Sequence, residues 1–496
     1  MNEQEDSMRS IDKEATAAPA RGETAGKWTV MGIMAIGLFM ATLDASIVNI
    51  SLPKISLSFH VPLSGVVEWV IIAYLIVIAS LLLTLGRLLD MVGQKLLWVL
   101  GLFIFTTSSA LCGAAPTLLF LVIFRGLQAV GGAMIMACSP AMITRAFPAT
   151  ERGRALGILA LVVAAGTSAG PTVGGIITEA FTWRWIFYIN VPIGMIGMVA
   201  ALRLLTEPIR PSWGQQRFDP IGAILLSLSV SCLMLGMSFG QEVGWRSFTI
   251  VGLFVAALVL LAAFIFHEKG VAQPIVDFSL FRNRLFTAAI VSSFLCFLSL
   301  FAVMFLMPFY LEELLALPAH LAGLLMTAVP ATIAVVAPLS GWLSDRFGSR
   351  LLSSAGMAVV CLGLWFLSRL TSGVSLFDIV WPLVVTGFGQ ALFQPPNNNA
   401  ILSSVPPQRL GIASGFLSTV RVLGQSSSVA LSGAIFTSLG GAQAGAALSR
   451  PWGPAADQLE AVFIHAFHIT LLTCMIIASI GVFTSLMRGP RGSSYR

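Results

Sequence analysis

GRLLDMVGQK, Gly86 to Lys95, and GWLSDRFGSR, Gly341 to Arg350, obey one pattern, G-x-L-x-D-x-x-G-x-[K/R], at positions 255 residues apart. Each copy follows a long apolar run, and weaker echoes trail both. Gly126-Leu127-Gln128-Ala129 answers to Gly389-Gln390-Ala391, and GILALVVAAGTSAG (157–170) answers to GFLSTVRVLGQSSS (415–428). The chain therefore reads as two similar halves. Composition sets the medium: of 496 residues, 57% are hydrophobic and only 10% charged, against roughly 25% charged in a soluble domain. Two alike halves of membrane helices around a central cavity are the architecture of a secondary transporter. Duplication without transport is the plainer alternative.

Runs of about 20 apolar residues cross a membrane as helices. Fourteen spans are predicted: 28–52, 66–85, 96–115, 117–146, 155–178, 184–205, 220–239, 247–267, 285–311, 319–343, 351–370, 377–401, 411–440 and 464–487. With the N-terminus inside, 21 of the 28 basic residues fall on the cytoplasmic side, among them Arg87, Lys95, Arg145, Arg152, Arg154, Arg346 and Arg409. Five fall outside, and Arg125 and Arg421 lie within spans. This is the positive-inside bias, and one span missed in mid-chain would scramble it. The net charge of +6 is accordingly topology, not a nucleic-acid surface. The expected organisation is a disordered cytoplasmic tail over 1–27, a six-helix bundle over 28–205, and two extra helices with linkers over 206–284. A second six-helix bundle over 285–487 and a cytoplasmic tail over 488–496 follow.

Six cysteines stand singly in apolar segments without metal spacing, so they read as small hydrophobes and no metal is expected. GETAGKW, Gly22 to Trp28, has too short a spacer for a phosphate loop and no Ser or Thr after its lysine. No HExxH or paired catalytic carboxylates occur. The chain is expected not to be an enzyme and to use no cofactor, its energy coming from a proton gradient.

The charges inside the spans carry the chemistry. Asp44, in LDASIVNISLP (Leu43 to Pro53), is the one carboxylate well inside a span; Glu68, Glu312 and Glu313 stand near outer ends. An uncompensated buried carboxylate costs about several kcal/mol, so Asp44 must be protonated, paired or on water. Arg125 and Arg421 face the same demand. Gly166, Gly170 and Gly174 recur every four residues, which favours close helix contact. QPPNNNA, Gln394 to Ala400, is unusually polar and reads slightly better as a helix terminus than as cavity lining.

Five motifs in order resemble those of the major facilitator superfamily. They are the repeated loop, RGLQAVGGA (Arg125 to Ala133), GTSAGPTVGG (Gly166 to Gly175), LDASIVNISLP and WRWIFYINVPIG (Trp183 to Gly194). The last two are similar to motifs of the fourteen-helix drug:proton antiporter branch, the EmrB/QacA type, and the resemblance runs from Trp28 to Met487. It implies a conformational latch at Gly86, Asp90, Gly93 and Lys95 and at Gly341, Asp345, Gly348 and Arg350; a turn with a topology anchor is the plainer reading. It implies an antiporter gate at Gly166, Gly170, Pro171, Gly174 and Gly175, against helix contact alone. It places spans 1 and 4 at the central cavity, so that Asp44 meets Arg125 directly or through Gln128. That pair is either a proton carrier or a permanent structural ion pair. Asn49, Gln128, Gln390, Asn397 and Arg421 are candidates for the cavity.

The expected function is export of lipophilic, cationic compounds in exchange for protons by alternating access. The expected setting is a bacterial inner membrane, with both termini cytoplasmic and the monomer as working unit. The lipid bilayer and lipophilic substrates are the partners; a periplasmic adaptor touching 441–463 is an optional one. A lipid or glycolipid translocase, or an importer of a small polar solute with Arg125 or Arg421 holding an anion, are the alternatives. Spans 2 and 13 lack the extra acids that some related exporters carry.

Overall fold

A backbone in hydrocarbon must satisfy its own hydrogen bonds, so long apolar runs can settle only as helices or as a closed barrel. The computed structural model describes residues 26–61, 66–206, 218–271, 273–448 and 456–488, and every regular element among them is helical. The terminal tails over 1–25 and 489–496, and the 449–455 part of the long outer segment, lie outside the described residues. We label the principal helices α1 Lys27–Phe59, α2 Trp69–Val92, α3 Gln94–Gly113, α4 Leu118–Ala146, α5 Arg152–Ala180, α6 Asn190–Leu204 and α7 Pro220–Val243. The second set is α8 Phe248–Gly270, α9 Arg284–Pro308, α10 Ala328–Phe347, α11 Ser349–Leu367, α12 Leu376–Ser403, α13 Leu410–Ser438 and α14 Ala456–Leu486. Among the described residues, thirteen helices are long and apolar enough to cross a membrane. The number is fourteen if Pro407–Ser438 and Gly441–Leu448, bent by 75°, form one span. The all-helical, fourteen-span expectation is met on that reading.

Helix ends are set by local chemistry. Thr117, Asp219, Ser247 and Asn283 each accept backbone N–H bonds at the start of α4, α7, α8 and α9, and Ser375 with Asp378 forms a capping box on α12. Gly93 and Gly348 break α2 from α3 and α10 from α11 at φ 104° and 85°, a region that favours glycine. These are the second glycines of the two loop copies. The first glycines, Gly86 and Gly341, make no turn: they lie inside α2 and α10, where a Cβ on Gly86 would come 2.5 Å from the Gly411 carbonyl oxygen and one on Gly341 would strike that of Gly153. Their role is close approach between helices.

The halves meet through two alike pairs, α2 with α13 and α5 with α10. Both close at the end of the bundle that carries the two loop copies, called here the basic end. Lys27 pairs with Glu151 there at 2.6 Å, which brings the start of α1 to the same end. Of the two extra helices, α7 lies along α2 and α13, its Ser227 hydroxyl donating to the Ser80 carbonyl at 3.1 Å. Helix α8 packs on α7, and its most apolar stretch is only 17% buried.

Helix α12 corrects one expectation. It is continuous through Pro395 and Pro396 to Ser403, so QPPNNNA is helix interior and not a terminus. The small-residue face of α5 also narrows. A Cβ on Gly166 would strike Thr42, one on Gly170 would strike Ser46, and Gly174 is buried, whereas Gly175 faces open space. Helix α5 runs on through Pro171, whose side chain lies outside the described residues. Overpacking costs about 1–3 kcal/mol, so Gly170→Leu should melt clearly earlier than wild type in detergent while Gly175→Leu melts with it. Equal melting of the two variants would remove the close contact of α5 with α1.

Candidate functional site

The polar residues of five apolar helices converge at one buried point. Asp44 lies about 25 Å along α1 from its basic end at 1.5 Å per residue. Arg125 and Gln128, three residues apart on α4, share a face. The one-turn helix Trp185–Tyr188 ends at Ile189, and Asn190 opens α6 facing them. Arg125 Nη1 donates to Asp44 Oδ2 at 2.5 Å and to Gln128 Oε1 at 2.8 Å, and its Nε donates to the Val70 carbonyl at 3.1 Å. Asp44 Oδ1 accepts from Gln128 Nε2 and from Asn190 Nδ2, each at 2.9 Å. Asn190 Nδ2 also reaches Ser109 Oγ at 3.1 Å, and the Arg125 guanidinium lies 4.1 Å from the centre of the Tyr74 ring. Asp44 and Gln128 are 0% exposed, Arg125 and Asn190 1%.

This is a direct ion pair buttressed by two amides and sealed from solvent. Two of its polar atoms, Asn190 Oδ1 and Tyr74 Oη, have no hydrogen-bond partner among the described residues. Asn190 went unselected in the sequence although WRWIFYINVPIG contains it. Its signal was an amide in an otherwise apolar and aromatic stretch, but only the fold shows that it faces Asp44.

The second constellation lies at the basic end. Asp90, near the end of α2, accepts the backbone N–H groups of Gly411 at 2.8 Å and Ile412 at 3.0 Å. Asp345, near the end of α10, accepts those of Gly153 at 2.8 Å and Arg154 at 3.0 Å. Each carboxylate thus caps the first turn of a helix in the opposite half, α13 and α5, where unpaired N–H groups and the helix dipole attract an anion. Arg145 adds a bond from Nη2 to the Pro407 carbonyl at 2.6 Å, again between halves. The last residues of the pattern do otherwise. Lys95 holds the carbonyls of Leu202 and Leu205, inside its own half, and Arg350 is exposed.

Beneath this contact, between the halves, lies a cavity bordered by Met136, Pro140 and Val163 on one side and Gln394, Asn398 and Arg421 on the other. Of the cavity candidates, Arg421 is therefore on it. Gln128 belongs to the Asp44 network, and Asn49 is exposed. Gln390 is half-buried, away from this lining. Asn397 is fully buried on the far face of α12, donating to the Ala289 carbonyl at 3.2 Å and accepting from Arg488, whose guanidinium burial pulls down to about 9. Its neighbour Asn398 takes the cavity place.

Removing one partner of a buried ion pair leaves an uncompensated charge at a cost of about 3–5 kcal/mol. Arg125→Met should therefore destabilise the purified chain strongly, and Asp44→Asn/Arg125→Met should recover much of the loss in thermal melts. Additive losses would show that the two groups do not interact.

The comparisons with known proteins agree with this architecture. Residues 34–429 and 289–491 match the model of the Major Facilitator Superfamily. The riboflavin transporter RibZ of Clostridioides difficile is 37% identical over 412 residues, 83% of this chain and 88% of that protein. The multidrug resistance protein Stp of Mycobacterium tuberculosis is 32% identical over 401 residues, 81% and 74% of the two chains. A solved structure of the proton:xylose symporter XylE superposes with a TM-score of 0.61 over 93% of this chain and 94% of that one, at 13% identity, which speaks to fold alone. With this family match over most of its length, a repeated loop that caps helices across the halves and a cavity between them, the chain belongs to the Major Facilitator Superfamily.

Proposed function

We propose that this chain exports lipophilic compounds in exchange for protons by alternating access, as a fourteen-helix antiporter of the EmrB/QacA type. The observation that carries the reading is the Asp44 site. A proton carrier needs surroundings that satisfy both of its protonation states. Ionised, Asp44 has Arg125, Gln128 and Asn190 as donors. Protonated, it needs an acceptor, and the Asn190 amide, whose oxygen lacks a partner, supplies one by turning over. A permanent structural pair has no need of that second arrangement.

The route from proton to conformation follows contacts. Thr42 and Ser46 flank Asp44 on α1 and press on Gly166 and Gly170 of α5. Helix α5 in turn carries the α10 contact and the N–H groups capped by Asp345. Release of the Asp44–Arg125 pair thus shifts α1 against α5, and α5 against the other half. The reciprocal caps are the latch that holds the basic end closed, and the two bundles over 28–205 and 285–487 rock when it opens. The excess of basic residues at this end supports placing it, with both termini, on the cytoplasmic side of a bacterial inner membrane. The names of the relatives, a riboflavin transporter and a multidrug resistance protein, support transport of flat or lipophilic compounds. The working unit is taken as the monomer.

The test uses liposomes with an acidic lumen and a lipophilic fluorescent dye outside. Wild type should concentrate dye in the lumen and release protons as it does so. Asp44→Asn should lose dye-driven proton release altogether, and retained release would end the carrier role. A further pair of variants checks the latch: Asp90→Asn and Asp345→Asn should each lower turnover about tenfold at unchanged expression, and full transport by the double variant would reduce both residues to turn anchors.

A further inference from the structure

Among the described residues Arg421 has no counter-charge. It lies eleven residues into α13, about 16 Å along the helix and so near mid-membrane. The ion pairs of the described residues leave it out, and its one polar contact is Met136 Sδ at 4.0 Å. Its guanidinium opens instead onto the cavity between the halves, beside Gln394 and Asn398, whose side-chain amides make no hydrogen bond among the described residues. No carboxylate among the described residues lines that cavity, and Asp44 is sealed away from it. Arg421 is half-buried, and a cation at that depth without a partner costs several kcal/mol, which an incoming anion recovers.

The internal repeat shows that the fold does not demand this charge. In the echo of 157–170 by 415–428, Arg421 stands where the first half has Val163, and both face the same cavity. A cation on one of two equivalent helices, with two amides and no acid around it, suits recognition better than architecture.

We propose that Arg421 is the counter-ion of an acidic group on the transported compound, so that the cavity takes aromatic or aliphatic amphiphiles bearing a carboxylate, sulfonate or phenolate. In this closed state the cavity has room for only about 30 Å³, so the compound enters as the halves part, Gln394 and Asn398 then supplying flanking hydrogen bonds and Met136, Leu156 and Leu159 the apolar contact. This reverses the cationic preference expected from the sequence. It rests on the export reading for the direction of movement, but not for binding.

Fluorescein and rhodamine 123 share a xanthene frame and differ in charge, which makes them the probes. Binding to the detergent-purified full chain is read first, by fluorescence anisotropy at pH 7.5. Wild type should bind fluorescein at least tenfold tighter than rhodamine 123. Arg421→Gln should lose most of that preference, and Arg421→Lys, which keeps charge but not the planar fork, should keep part of it. Melting curves establish that each variant is folded; should Arg421→Gln fail to fold, Asn398→Leu, which leaves the arginine in place, should still weaken fluorescein binding severalfold. Equal or tighter rhodamine binding by wild type, or fluorescein binding unchanged in a folded Arg421 variant, overturns the proposal. Liposomes with an acidic lumen then separate the two readings. Fluorescein accumulation by wild type and not by Arg421→Gln supports both. Arg421-dependent binding with no dye movement under the gradient overturns export and leaves the anion site standing.

Discussion

A carboxylate and a guanidinium 2.5 Å apart, sealed inside a bundle of apolar helices, set the terms for much of the first half of this protein. In that medium neither charge survives alone. Each must find the other, and their remaining donors and acceptors must find amides, a carbonyl and an aromatic face. Five helices, α1, α2, α3, α4 and α6, contribute a group, so their relative depth and rotation are tied to one point. Asp44 is thus both a register pin and the group on which coupling would act, because any change in its charge disturbs all of those partners together.

The contact between the halves rests on different physics. Asp90 and Asp345 reach across the interface to the exposed N–H groups of helix starts. Such a bond needs backbone to come within hydrogen-bond reach of a side chain from another helix, which is why Gly86, Gly411, Gly341 and Gly153 stand at the crossings. The same duplication that built the interface makes its exceptions visible. Gly153 corresponds to Gly411 and Gly157 to Gly415, but Val163 corresponds to Arg421. Where two symmetric helices perform one structural task, a charge on only one of them belongs to something else.

Several parts of this arrangement were legible in the chain because they are written in local terms. Apolar run length predicts spans, the distribution of Lys and Arg predicts their direction, and the scarcity of intramembrane charge leaves Asp44 and Arg125 few alternatives. Other parts were not. Gly86 and Gly93 are the same letter in one motif, yet one allows helices to cross and the other turns the chain. Asn397 and Asn398 are adjacent, yet a turn of about 100° per residue gives them different neighbours, and the prolines before them do not end the helix. Lys95 reads as a latch residue but serves α6.

What the sequence by itself determined is the class of molecule: helices in lipid, two related halves, and one acid and two arginines inside them. These follow from composition and period, since hydrocarbon admits few backbone solutions and few unpaired charges. What only the tertiary structure decided is which charges meet. Arg125 and Arg421 are equivalent as letters, both single arginines within apolar spans. The rotation of α4 gives Arg125 an aspartate, an amide and a backbone carbonyl, while that of α13 leaves Arg421 facing a cavity, because a helix has one face per side chain and neighbours decide what that face touches.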